Sequence, residues 1–224
     1  RFSFDGEVYQ IPETTIRPQA RHKGDLTTRI KAAFSTKASA QLAAENGLGQ
    51  MFVSGDNFDE MTASVQQFNG IRADLGLPPD QPTTLLWMYC AETEAEAEEG
   101  WEYFHKQLTA AQHHYFEWNN PGFEGVHGYE EYLEKQTADV GVADASLEAR
   151  RNTQPIGTPD QIISKIKALQ EAISLETLVV HVFYGGMPRD KAEKSLRLFA
   201  EKVLPAIQAM DTPIHVSSLG PRAG

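Results

Sequence analysis

The stretch KAAFSTKASAQLAAENGLGQMFV, residues 31–53, carries the pattern that decides the fold. A short apolar run is followed by an Ala-rich segment, and a second apolar run begins after a glycine. The stretch predicts three elements: a strand over 29–34, a helix over 37–46 that Gly47 ends in the C′ position, and a strand over 49–53. This order predicts parallel strands joined by a crossover helix.

The same alternation of strand and helix continues along the chain. Asp56 predicts the N-cap of a helix with apolar residues three and four positions apart. The run TLLWMY, residues 84–89, is typical of a strand buried on both faces of a parallel sheet. The later elements are a long helix from the capping box at 93–96, a helix from the capping sequence at 158–161, a strand over 178–184, and a closing helix with Ala192, Leu196, Phe199, Val203 and Ile207 inward.

Composition excludes several classes of protein. With 31 acidic and 20 basic residues, the net charge of -11 argues against nucleic acid or an anionic membrane surface as the main partner. The single cysteine, Cys90, cannot form an internal disulfide, and no apolar run reaches the roughly 20 residues of a membrane span. We therefore expect a cytoplasmic protein. The start RFSF lacks an initiator methionine and the layout of a signal peptide, so we expect a longer parent chain.

The segments outside this alternation predict surface structure. FSFDGEVYQI, residues 2–11, predicts a surface β-hairpin around Asp5-Gly6. Residues 119–154 mix glycine, aromatic and charged residues, with one short helix over 129–136 and a loop over 137–155. We expect one domain over residues 1–210 and a disordered tail over 211–224.

Several motifs in this order resemble the bacterial luciferase-like flavin monooxygenases, a TIM-barrel family. They are FDGEVYQIPETTIRPQ (4–19), AFSTKASAQLAAENGLG (33–49), IGTPDQIISKIKAL (156–169), VVHVFYGGMP (179–188) and KAEKSLRLFAEKVLPAI (191–207). The resemblance implies an α/β fold that is the C-terminal part of a TIM (β/α)8 barrel, with about four parallel strands. The early strands, which carry much of the flavin and substrate contact in that family, have no counterpart here. A half-barrel exposes two sheet edges and an apolar interior, so we expect a homo-oligomer or pairing with the missing N-terminal half.

The resemblance also implies a function. The protein is expected to be an oxidoreductase that uses reduced FMN and O₂ to oxygenate a small organic substrate, with NAD(P)H or a partner flavin reductase as the electron source. Two alternatives stay open. One is a deazaflavin-dependent oxidoreductase on the same fold, and the other is a non-catalytic, truncated half-barrel that self-associates.

Ser35 and Thr36 stand where the first strand of the quoted stretch gives way to its helix. Free backbone N–H groups, hydroxyl donors and the positive end of the helix dipole favour a phosphate there. The resemblance implies that Ser35 helps to hold the FMN phosphate, and Thr36 and Ser39 are candidates as its neighbours. The alternative is that Ser35 or Thr36 only caps the helix.

The second candidate position is Gly185-Gly186, which follows the last strand. Glycines there allow a flavin to approach the backbone closely, although a tight turn without a ligand explains them equally well. His113 and His114 are weak catalytic candidates as proton donors, with a helix-surface or packing role as the alternative. Because adjacent residues point in different directions on a helix, we expect no metal site there.

Two further sets of residues favour a packing role. His181 alternates with valines in the last strand, and we expect a hydrogen-bonded core histidine rather than a ligand-binding group. Trp87, Met88, Tyr89 and Cys90 end a buried strand and either line an apolar substrate pocket or belong to the core.

Overall fold

Four parallel strands form the central sheet, in the spatial order β3-β4-β5-β8. The computed structural model describes residues 1–19, 21, 26–34, 36–53, 57–111, 125 and 148–220. The four strands are β3 (Lys31–Ala33), β4 (Gly49–Val53), β5 (Thr83–Trp87) and β8 (Thr177–His181). In register, Met51 pairs with Thr83, and Thr83 pairs with Thr177. The α/β class and the four parallel strands are therefore as expected.

Two smaller sheets accompany the central one. Strands β1 (Phe2–Asp5) and β2 (Gln10–Thr14) form the expected antiparallel hairpin. Strands β6 (Tyr89–Cys90) and β7 (Ile156–Gly157) pair in parallel just beyond the end of β5. Because β7 has only two residues, its sequence gave no strand signal.

The helices are α1 (Lys37–Glu45), α2 (Phe58–Asp74), α3 (Glu94–Ala111), α4 (Pro159–Ile173), α5 (Arg189–Leu198), a π-helical turn (Phe199–Val203) and α6 (Leu204–Gln208). Helices α1, α2 and α3 begin where the side chain of Thr36, Asn57 or Thr93 accepts one of their first N–H groups. Asn57, not Asp56, is the N-cap of α2, since its side chain accepts a hydrogen bond from the Glu60 N–H. At the start of α4, Gln161 Oε1 accepts the Thr158 N–H at 3.0 Å, as the capping sequence predicts.

The two faces of the sheet are covered differently. Phe52, Leu86 and Leu178 pack against α2 and α4. Trp87 alternates with Leu86 along the strand and so lies on the other face, where α3 packs against it near the carboxyl end. That second face, here called the open face, leaves Val53 55% and Val179 39% exposed. The expectation that this part of a barrel exposes apolar interior side chains holds for the described residues.

Several predicted details are wrong. Strand β5 is not buried on both faces: Thr84 and Leu86 are buried, but the alternating Leu85 is only half-buried because it faces the open side. Strand β8 ends at His181 rather than residue 184 because the following residues enter a turn. In the closing helix Leu196 is 42% exposed rather than inward.

The chain after Met210 is not disordered over residues 211–220, here called the strap. Its residues Val216–Ser218 form a 3₁₀ turn. The strap is held because the His215 N–H donates to Ser174 Oγ at 2.7 Å and Asn69 Nδ2 donates to the Ser218 carbonyl at 2.8 Å. In the part of the chain that the structure describes, no helix is long and apolar enough to cross a membrane. The predicted helix over 129–136 lies outside the described residues.

Candidate functional site

Two of the predicted positions lie at the carboxyl ends of strands, on opposite edges of the central sheet. Thr36 follows β3 at one edge, and Gly185 follows β8 at the other. Three strand spacings separate the edges, which is roughly 14 Å along the sheet. Carboxyl ends of parallel strands are where α/β folds bind their ligands. The described residues therefore present two separate candidate regions at the functional end of the sheet.

Thr36 is the N-cap of α1. Its backbone is extended, its Oγ1 accepts the Ser39 N–H at 3.3 Å, and the two hydroxyl oxygens lie 3.0 Å apart. Thr36 is half-buried and Ser39 is exposed. The capping role is thus present for Thr36, while Ser35 lies outside the described residues. Capping uses one acceptor site of Thr36 and leaves the Ser39 hydroxyl at the surface beside it.

The N-terminus of α1 differs in charge from the other long helices. It has no acidic residue in its first turn, and Lys37 opens the helix. By contrast, α2, α3, α4 and α5 each carry at least one carboxylate in the first turn. A carboxylate stabilises the positive end of the helix dipole, and an external anion can take the same place. The residues present at this end therefore fit a phosphate.

Gly185 and Gly186 form the centre of a tight turn. Met187 N–H donates to the Tyr184 carbonyl at 3.0 Å, and the φ angles of +61° and +73° are those of a type I′ turn. A Cβ on Gly185 would clash with the backbone carbonyl of Tyr103 in α3, whereas a Cβ on Gly186 would meet open space. The turn and the contact with α3 explain Gly185 without a ligand. Gly186 leaves room for one.

An aromatic group lies next to this turn. The ring of His181 is 6.3 Å from that of Trp87 and 5.9 Å from that of Tyr184. His181 is exposed on the open face, so the expectation of a core histidine is wrong. His181 pairs in register with Trp87 of β5. Strand alternation is the sequence signal that places both side chains on the open face.

Two buried donors in this aromatic group have no hydrogen-bond partner among the described residues, namely Trp87 Nε1 and Tyr184 Oη. Tyr184 is 5% exposed. Its burial, and to a smaller extent the nearby Tyr89, raise the pKa of its hydroxyl. The phenol therefore stays protonated at neutral pH. Sequence reasoning placed Tyr184 at the end of the predicted strand over 178–184, within VVHVFYGGMP, but gave its hydroxyl no role because alternation alone does not show an unpartnered donor.

Residues 88–90 are core residues rather than pocket lining. Met88, Tyr89 and Cys90 are each at most 5% exposed. Burial raises the pKa of the Cys90 thiol to about 12, so the sulfur is not a nucleophile at neutral pH. Within the described ranges, no group of three or more His, Cys, Asp or Glu side chains could hold a metal ion. The catalytic candidates His113 and His114 lie outside those ranges.

Comparison with known proteins identifies the family to which this fold belongs. The model of the family described as luciferase-like monooxygenase matches residues 1–175. Uncharacterized protein YwcH of Bacillus subtilis (strain 168) is 29% identical over 178 residues, which are 78% of this chain and 49% of that protein. The chain thus spans about half the length of the curated relative that it matches.

Solved structures share the fold at low sequence identity. Monooxygenase RslO1 from Streptomyces bottropensis superposes with a TM-score of 0.63 and 22% identity, covering 92% of this chain and 56% of that one. The oxygenating constituent of 3,6-diketocamphane monooxygenase from Pseudomonas putida, in complex with FMN, gives 0.59 and 20%, covering 95% and 59%. An F420-dependent secondary alcohol dehydrogenase gives 0.56 and 14%, covering 92% and 56%.

Proposed function

The chain belongs to the luciferase-like monooxygenase family, and from this premise we propose that it is part of a flavin-dependent monooxygenase. The whole protein would use reduced FMN and O₂ to oxygenate a small organic substrate. NAD(P)H or a partner flavin reductase would supply the electrons. When bound, the flavin would supply the chemistry of O₂ activation, and the protein would bind, orient and shield it.

The N-terminus of α1 is the observation that carries this proposal. Thr36 and Ser39 offer hydroxyl groups there, and the first turn offers N–H groups with no carboxylate to compete for them. An FMN phosphate at this end would accept hydrogen bonds from these groups and interact favourably with the helix dipole. Ser35, which the family resemblance points to as a phosphate ligand, is the adjoining residue.

The opposite edge of the sheet is the proposed place for the reacting end of the ligands. Gly186 leaves open space beside the turn, and His181 is the exposed polar side chain next to Trp87. In this proposal the glycine turn lets the flavin or the substrate approach the backbone. His113 and His114 stay proposed proton donors, on the basis of their sequence position alone.

The open face supports a proposal about assembly. Its apolar side chains, including the 55% exposed Val53 and the 39% exposed Val179, form a surface that water disfavours. We propose that the rest of an eight-stranded barrel, or a second copy of the chain, covers this face. Covering it would also exclude water from the proposed ligand site.

Titration of the purified protein with FMN, riboflavin and F420, followed by ligand fluorescence, tests the proposed function. We expect FMN to bind at least tenfold more tightly than riboflavin, because only FMN carries the phosphate. Preference for F420 would favour the alternative function, hydride transfer by a deazaflavin. This alternative is included because one of the structural neighbours is an F420-dependent dehydrogenase. Binding of none of the three would favour a non-catalytic half-barrel.

A further inference from the structure

The strap lies in a groove whose side chains bind its main chain. Four side-chain amides, one from each of four places in the sequence, donate to four strap carbonyls. The pairs are Gln66 to Ser217 at 2.8 Å, Asn69 to Ser218 at 2.8 Å, Gln81 to Thr212 at 2.8 Å, and Gln170 to Pro213 at 2.9 Å. These four contacts are made to main-chain carbonyls, and one side chain of the strap adds to them, since His215 Nε2 lies 2.8 Å from Gln170 Oε1.

Hydroxyl groups complete the contact. Ser174 Oγ, at the end of α4, accepts the His215 N–H at 2.7 Å and lies 2.8 Å from Ser218 Oγ. Ser217 Oγ donates to the Glu171 carbonyl at 3.1 Å. The strap thereby joins the second half of α2 to the end of α4, at the amino end of the sheet.

The strap takes no part in the apolar core of the described residues. None of the four clusters of buried hydrophobic side chains includes a residue of 211–220. Its apolar side chains are exposed to different degrees: Val216 is 83% exposed, Ile214 43% and Leu219 39%. The floor of the groove is polar, with Asn69, Gln170 and Ser174 at most 6% exposed. Water can replace the hydrogen bonds to such groups when the groove opens.

From these contacts we infer that residues 211–220 are a detachable strap, bound as a peptide in the groove between α2 and α4. It opens as a separate unit while the central sheet stays folded. The groove binds a peptide segment through its main-chain carbonyls and through the side chains of His215, Ser217 and Ser218, and its occupant is the strap itself. This inference is independent of the proposed flavin chemistry, which lies at the other end of the sheet.

Native-state hydrogen exchange on the full chain tests separate opening. The strap N–H groups of His215, Ser218 and Leu219 are hydrogen-bonded, as are those of α2 and α4. We expect the strap amides to exchange at least tenfold faster than the slowest amides of the two helices, at rates that low urea concentrations do not change. If the amides of the strap, α2 and α4 all exchange together and with the same urea dependence, the inference is overturned.

A second experiment measures the groove directly. A protease site placed between Met210 and Asp211 lets the strap be cut after the full chain has folded. We expect the cut strap to exchange with a labelled peptide of residues 211–220 while the circular dichroism spectrum is unchanged. Gln66→Met, which removes one amide donor, should speed release about fivefold, the effect of one lost neutral hydrogen bond.

The matched control is Gln67→Met, at an exposed neighbouring glutamine whose side chain makes none of the hydrogen bonds to the described strap residues given above. It should leave the release rate unchanged. Equal release from the two variants, or a cut strap that leaves only when the protein unfolds, would overturn the inference.

Discussion

The two ends of the central sheet differ in how their charged groups are paired. At the amino end most polar groups bond to one another, although Gln50 Oε1 and Thr84 Oγ1 are buried without a partner among the described residues. The Asp80 carboxylate accepts Lys31 Nζ at 2.7 Å and the Gln50 N–H at 2.7 Å, and Asn69 Oδ1 accepts the Asp80 N–H at 2.7 Å. Arg72, 7% exposed, donates to two backbone carbonyls there. This end is held together by its own polar network.

At the carboxyl end, several polar groups could still form further hydrogen bonds. Trp87 Nε1 and Tyr184 Oη are buried without a partner among the described residues. The first turn of α1 has no carboxylate, and Ser39 is exposed. In parallel α/β barrels the amino end generally serves stability and the carboxyl end serves ligands. The contrast indicates that in this protein, too, polar groups at the amino end serve stability and those at the carboxyl end are available to a ligand. Substitutions of polar groups at the amino end should therefore affect stability, and substitutions of polar groups at the carboxyl end should affect binding.

The largest expected effect is at the amino end. Asp80→Ala leaves the partly buried Lys31 ammonium without its nearest carboxylate and the Gln50 N–H without an acceptor. We expect it to lower the free energy of unfolding by about 3 kcal/mol. Urea denaturation followed by circular dichroism measures the change.

Glu176→Ala is the matched control for that prediction. Glu176 lies 3.9 Å from the same Lys31 ammonium, but its side chain is 52% exposed. An exposed ion pair contributes little, so the loss should stay below about 0.5 kcal/mol. Equal losses from the two carboxylate variants would contradict a network centred on Asp80.

The next effect separates the two glycines of the turn. Gly185→Ala places a methyl group against the Tyr103 carbonyl at a positive φ, and we expect it to lower stability by about 2 kcal/mol or more. Gly186 also has a positive φ but faces open space, so Gly186→Ala should cost about 1 kcal/mol. Thermal unfolding of both variants tests this order. A larger loss for Gly186→Ala would contradict the assigned packing.

A smaller effect depends on pH and concerns Lys165 of α4. Its ammonium donates to the Ile156 carbonyl at 2.7 Å and lies 5.1 Å from the Trp101 ring. Burial, with a smaller effect from the charge of Arg151, lowers the pKa of Lys165 to about 8 from an ordinary value of 10.5. Between these two pH values the unfolded chain binds more protons, so stability should rise with pH in that window.

Lys165→Met should remove that rise, which we expect to be about 1 kcal/mol after solvent screening is allowed for. Urea unfolding at pH 7.5, 9 and 10.5 measures it, with Lys167→Met at an exposed position of the same helix as the control. If Lys165→Met and the unaltered protein keep the same pH slope, the ammonium is not buried as described.

Local signals predicted much of the fold. Strand β4 lies at 49–53 as predicted, and the capping sequence at Thr158 starts α4. Contacts distant in sequence account for the errors. The strap is ordered by side chains of α2 and α4, and Leu85 is half-buried because one face of the sheet is open. Periodicity reports which residues share a face but not whether another element covers it.

The candidate site was less predictable than the fold. The Ser-Thr pair at the start of α1 and the glycine pair after β8 are local patterns, and the sequence located both at strand ends. The exposure of His181 and the unpartnered Tyr184 hydroxyl depend on how α3 and the turn pack together. No local pattern encodes that packing.

The most direct test of the central claim, a phosphate site at the start of α1, is the affinity of Ser35→Ala for FMN and for riboflavin, both measured by fluorescence titration. The account predicts that the variant loses about 1 kcal/mol or more of FMN binding and none of riboflavin binding, because only FMN brings a phosphate to the Ser35 hydroxyl. Unchanged FMN affinity, or equal losses for the two ligands, would contradict it.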